Sequence, residues 1–181
     1  LELMSTYTLH AVNHVYKHKD MVGRNNAQIK ADSTLEFADQ GFSQPKVLIL
    51  LPMRHMCLQF VELLLKVIPK KLADKVANKS KFYQEFIEEI YKPPTKPADW
   101  TSVFIGNVDD TFRIGIKLCP EYLKLYADFY SSDIIVASPL GLRLVLQENQ
   151  KGVADFLSSI DLVITDFCDV IAMQNWDHVK F

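Results

Sequence analysis

Two aspartates at the end of one apolar run carry most of the chemistry this chain suggests. Residues 159–179 open with a strand, Ile160 to Thr165, reach Asp166-Phe167-Cys168-Asp169, and continue as an apolar, helix-like segment. Carboxylates at a strand end hold a divalent cation through water, and a further carboxylate among them would serve as general base for nucleotide hydrolysis. Position 167 is Phe, which polarises no nucleophile. General-base assistance contributes typically ~100- to 10,000-fold, so a site built here lacks its main lever. The structural role for Asp166 and Asp169 is to cap the helix that follows, since a carboxylate at a helix start accepts backbone N–H groups. We favour the cap.

The other half of such a site, a G-x-x-x-x-G-K-[ST] loop, wraps glycine backbone around phosphates that a Lys neutralises. Gly23, Gly41, Gly106, Gly115, Gly141 and Gly152 are not spaced that way, and none precedes Lys-Ser or Lys-Thr. His10, His14 and His18 recur every four residues, a spacing that offers imidazoles to zinc from one helix face. Ala11 stands where a metalloprotease helix needs Glu, and no Cys or carboxylate cluster completes the ligands, so a solvated or partner-facing stripe is expected. Cys57, Cys119 and Cys168 form no C-x-x-C pair, which argues against a disulfide framework or zinc ribbon and fits a reducing compartment. We expect neither metal nor cofactor.

The elements that must position these residues alternate in type. Met4, Tyr7, Ala11, Val15 and Val22 predict one long helix over 3–29, and Lys46 to Leu51 is a solid apolar strand ended by Pro52. Helices are predicted over 55–68 and 79–91, then a proline-rich loop over 92–100 as the place for an insertion. Strands follow at 102–105 and 112–118, a helix over 121–129, a buried strand over 133–137 and a helix from Pro139. Tyr122, Tyr126, Phe129 and Tyr130 could stack bases as single-strand platforms do, but at helical spacing we favour a place in the core. Solid apolar strands alternating with helices mean an α/β domain, a parallel sheet flanked by helices. Ligands of such sheets bind at the carboxyl ends of strands, which selects Arg54, Gly106-Asn107, Ser138-Pro139 and Asp166.

The chain has 181 residues, 49% of them hydrophobic, and a formal charge of -2, enough for one cored domain and against a uniformly basic nucleic-acid coat. No apolar run approaches the roughly 18 residues of a membrane span. Because the first residue is Leu, we read the chain as part of something longer.

Three strand ends match known motifs in order. Residues 47–54, VLILLPMR, resemble the strand plus Pro-Thr-Arg-Glu of DEAD-box RNA helicases; 134–139, IIVASP, resemble their strand plus Thr-Pro-Gly-Arg; and 162–169, LVITDFCD, fall where the DEAD motif would. More specific blocks, LHAVNHV at 9–15, PKVLILLP at 45–52, DFYSSDII at 128–135, ASPLGLR at 137–143 and MQNW at 173–176, resemble the digestive organ expansion factor family. Those are nucleolar small-subunit processome proteins with degenerate helicase-like domains.

The resemblance implies a RecA-like, P-loop-NTPase-like fold: the first helicase-like domain only, incomplete at its C-terminus. It places the phosphate loop near residues 1–8, where Leu1 to Thr8 contain neither Gly nor Lys. It implies no catalytic residues, with Asp166, Phe167, Cys168 and Asp169 as a vestigial DEAD position. RNA backbone contacts map onto Arg54, although Met53 replaces the usual Thr and a salt bridge at the domain surface is an equal alternative, and onto Ser138, for which we favour a helix cap before Pro139. The register then slips, so Arg143 is carried over less directly. A basic run adds Lys71, Lys75 and Lys79, which share a face if one helix continues through them, diluted by Glu85, Glu88 and Glu89.

The family further implies nucleolar location, pre-ribosomal or small nucleolar RNA and processome proteins as partners, and in animals a calpain-type protease, with no membrane. The expected function is an inactive helicase-like scaffold in pre-ribosomal RNA processing. The alternatives are an active or nucleotide-gated RNA helicase, and a pure protein-interaction domain in nucleolar protein turnover.

Overall fold

The computed structural model describes residues 2–39, 41, 43–87, 96–148 and 153–180. One six-stranded sheet organises them: β1 (Val47–Leu50), β2 (Val76–Ala77), β3 (Arg113–Leu118), β4 (Leu123–Leu125), β5 (Ile134–Ala137) and β6 (Leu162–Thr165), in the order β2-β4-β3-β5-β1-β6. β1 pairs in parallel with β5 and β6, and β2 with β4, whereas β3 runs antiparallel to both neighbours. The sheet is therefore mixed and mostly parallel, as the fully buried runs of β1 and β5 require of its centre.

Helices cover both faces. On one side lie α1 (Glu2–Ala31), α2 (Arg54–Val67) and α4 (Lys79–Phe86), whose Ala11, Val15, Phe60, Leu64, Phe82 and Phe86 pack against Val47, Ile49, Ile114, Ile116, Ile134 and Val136 in the main core. Each fully buried Phe contributes about 1.5–3 kcal/mol through removal from water. The smaller α3 (Lys70–Ala73) leads into β2. On the other face α6 (Pro139–Glu148) and a 3-10 turn, Val153–Leu157, enclose Leu48, Leu50, Ile135, Val145 and Phe156. Lys19 ties α1 to the strand starts: its ammonium is 2.7 Å from the buried Asp133 carboxylate and also donates to the Leu118 carbonyl.

Four expectations change. Residues 102–105 are not a strand: 102–104 belong to α5 (Ala98–Phe104) and Ile105 is its C-cap, while Trp100 and Phe104, four positions apart, stack at 5.1 Å and Thr101 N–H bonds the Pro97 carbonyl at 3.0 Å. Ala98 to Trp100, expected in the loop, open this helix, while residues 92–95 lie outside the described residues. Residues 121–129 are not a helix, because Leu123 and Leu125 are fully buried with Lys124 between them facing out, a period of two that makes β4. The lysine run does not lie on one helix: the chain leaves α3 at Asp74, forms β2, and turns at Asn78 in the left-handed region (φ 64°) before α4. Of the 79–91 helix, 79–86 is observed and 88–91 lie outside the described residues.

Candidate functional site

The first turns of α1 and the end of β6 meet at Asp166. Its Oδ2 accepts the Tyr7 hydroxyl at 3.1 Å, its Oδ1 accepts the amide of Phe167 at 2.8 Å, and its own N–H bonds Leu50 O at 3.2 Å. Burial, then the Asp166 charge and hydrogen bond, push the Tyr7 phenol far above its ordinary value, so Tyr7 is a fixed donor. The Tyr7 ring lies nearly parallel to Phe60, centroids 6.3 Å apart, which holds the hydroxyl in place.

Phe167 turns the chain into α7 (Cys168–Asn175) at φ 54°, a left-handed conformation that costs a non-glycine residue about 1–2 kcal/mol. The turn packs the half-buried ring against the main core. The expected aspartate cap takes another form: Phe167 is the N-cap with no side-chain bond, Asp166 holds the residue before the helix, and Asp169 stands exposed in the first turn, where its charge suits the helix dipole. Cys168 is exposed and its thiol donates to Thr165 O at 3.3 Å. Both Asp166 oxygens accept a hydrogen bond within the domain, and the Tyr7 phenol and the Phe167 ring stand beside it.

At the end of β1, Arg54 is consumed by its own domain. Its guanidinium donates to Glu85 O at 3.2 Å and Thr111 O at 3.0 Å, lies over the Phe86 ring at 5.2 Å, and places Nε 3.2 Å from the Asp109 carboxylate, an ion pair without an aligned N–H bond. The loop after α5 caps α2 with backbone: Arg54 and His55 amides bond Asp109 O and Asn107 O, each at 3.0 Å. His55 Nδ1 donates to the same Asn107 carbonyl at 3.1 Å, and burial holds its imidazole below the usual range.

Ser138 is wholly buried. Its Oγ accepts the Gly141 amide at 2.9 Å, the N-cap geometry of α6 with Pro139 in the first position, and donates to Asp110 O. Gly141 is needed there, because a Cβ would collide with the Phe112 carbonyl. Ser138 thus takes the helix-cap role favoured from the sequence, its hydroxyl bonded within the domain. Arg143 bonds His178 Nδ1 at 3.0 Å and links α6 to α8 (Asp177–Lys180). Lys71, Lys75 and Lys79 are exposed, with Lys79 5.9 Å over the Tyr83 ring.

The structure thus joins Asp166 and Phe167 to Tyr7, a residue the sequence marked only as one position of a helix face. It separates the basic residues into unrelated places. His14 lies 3.3 Å from Asp161, but no group of three His, Cys, Asp or Glu side chains among the described residues is placed to hold a metal ion. Tyr126 packs on the main core and Phe129 and Tyr130 against Phe156, whereas Tyr122 is exposed.

Comparison with known families returns one description, "UTP25, NTP hydrolase-like domain", matching residues 1–181. The chain belongs to the UTP25 NTP hydrolase-like family. Relatives include proteins named U3 small nucleolar RNA-associated protein 25: 49% identical over 178 residues in Schizosaccharomyces japonicus, 48% over 180 in Candida albicans and 45% over 177 in Neurospora crassa. The matches cover 97%, 96% and 96% of this chain but 27%, 25% and 23% of the relatives' own length, so the UTP25 domain here spans about a quarter of those proteins. No solved structure matches the chain. Membership agrees with the mixed α/β sheet and with the family resemblance read from the strand-end motifs.

Proposed function

We infer that this domain is an NTPase-like module without nucleotide hydrolysis, acting as a scaffold in the small-subunit processome during pre-ribosomal RNA processing, in the nucleolus. The observation that carries the inert half is the Tyr7–Asp166 hydrogen bond with Phe167 packed beside it: both oxygens of the strand-end carboxylate already accept a hydrogen bond, and the next position offers a phenyl ring where a general base would be needed. The assembly half rests on the relatives' names, which associate them with U3 small nucleolar RNA. Pre-ribosomal or small nucleolar RNA and processome proteins are the partners this reading calls for. A calpain-type protease, implied by the family resemblance in animals, is a partner to test by co-purification.

ATP binding and RNA-stimulated hydrolysis measured on the full-length protein test the inert half. We expect no turnover above background and no change on Asp166→Ala. Robust hydrolysis abolished by Asp166→Ala would sink it and favour an active helicase. A second reading, a protein-interaction domain without RNA contact, draws support from the internal use of Arg54 and Ser138.

A further inference from the structure

The face of the sheet opposite the main core is covered unevenly. Along β3, Ile114, Ile116 and Leu118 enter the main core, so Gly115 and Lys117 lie on the other side; on β4, Leu123 and Leu125 enter it and Lys124 faces away. The segment 127–132 crosses that side over Gly115. The Ala127 amide bonds Gly115 O at 2.9 Å, and a Cβ on Gly115 would strike the Ala127 carbonyl and stand 3.1 Å from Ser132 Cβ.

Beyond this crossing lie Lys117 and Lys124, direct partners on the antiparallel β3–β4 ladder. Like charges directly opposite each other destabilise a sheet. Among the described residues, neither lysine is paired with a carboxylate. Two positions before Lys124, and so on the same side, Tyr122 is 42% exposed. Lys75, exposed, flanks them, since its carbonyl accepts the Leu123 amide at 2.9 Å. Guarding a free edge accounts for Lys75, next to the outer strand β2, but not for Lys117 and Lys124 on the interior strands β3 and β4.

We propose that Lys75, Lys117 and Lys124 around Tyr122 form a binding surface for single-stranded RNA, with ammonium groups on the phosphates and the phenol ring stacked on a base. Polyanion binding relieves the Lys117–Lys124 opposition, and an exposed ring among lysines is the pairing that single-strand platforms use. The surface lies on the sheet's second face, toward the start of β5, whereas Ser138 follows its end. It deepens the RNA-contacting part of the proposed function and is independent of the nucleotide site.

The test uses full-length protein and a fluorescent single-stranded RNA of mixed sequence, with affinity measured against salt. Losing two phosphate contacts in Lys117→Gln/Lys124→Gln lowers the slope of log affinity against log salt by about 1.4, at ~0.7 per contact. Tyr122→Ala weakens binding about 5- to 150-fold, and Tyr122→Phe restores it. Ultraviolet crosslinking followed by tryptic digestion places nucleotide on the peptide Leu118–Lys124. The lysine variant melts no lower than wild type, because the opposition is gone, so lost binding is not unfolding. An unchanged salt slope, no crosslink on that peptide, or loss of a processome protein with RNA affinity intact overturns the proposal. ATP hydrolysis by the same protein would refute the inert-site reading and leave this surface standing.

Discussion

Replacing Tyr7 by Phe removes one oxygen and keeps the ring on Phe60, so it isolates the bond to Asp166. A hydrogen bond to a charged acceptor is worth about 1.5–3 kcal/mol, but Asp166 is only half-buried and its Oδ1 keeps the Phe167 amide. Water reaches the freed oxygen, so the expected loss is about 1 kcal/mol, or roughly 2–4 °C in Tm for a domain of this size. Asp166→Asn disturbs the same contact, and a double-mutant cycle by urea unfolding returns most of the loss as coupling between the two positions.

The pH dependence has a definite sign. The Tyr7 phenol is raised above its ordinary 10.0, first by burial and then by Asp166, so the folded state holds the proton more tightly than the unfolded state. That stabilisation is complete below about pH 10 and drains away as pH rises further. The gap between wild type and Tyr7→Phe therefore holds from pH 7 to 9 and narrows toward pH 11. A coupling below ~0.3 kcal/mol, or a gap that widens above pH 10, refutes the placement of Tyr7 as the donor that occupies the carboxylate.

Two further outcomes follow from the strand ends. Ser138→Ala strips the Gly141 amide of its cap and costs about 1–2 kcal/mol in chemical denaturation, with RNA affinity unchanged; weaker RNA binding at unaltered stability would return Ser138 to the contact surface. His55, lowered by burial from 6.5, contributes stability that is present above that value and is lost as pH falls through its folded-state pKa. His55→Asn keeps an N–H for Asn107 O without a titrating ring, so its stability varies less than that of wild type between pH 7 and 5.

Much of the fold was legible because its strongest signals are local. A thirty-residue helix with one apolar stripe, two strands that are solid apolar runs, and a Ser-Pro pair at a helix start are dictated by short-range geometry. The errors fell where local signals compete. The 121–129 segment offers aromatics at helical spacing, yet two leucines flanking a lysine pair with β3 across the Cys119–Tyr122 turn, and burial on a neighbouring strand overrides the local pattern. Likewise, Lys71, Lys75 and Lys79 fall on one face only if nothing interrupts the helix, and pairing of Val76 with Leu123 interrupts it.

The candidate sites divide the same way. From the sequence came the family resemblance, the missing base at Phe167 and the absence of a glycine-lysine phosphate loop within this chain, because these are statements about which atoms exist. Only the folded chain brings Tyr7 against Asp166 across 159 positions, spends Arg54 on carbonyls, and sets Lys117 opposite Lys124. Such contacts are set by how helices and strands pack. The residue types say what chemistry is available, and the packing says which groups remain free to perform it.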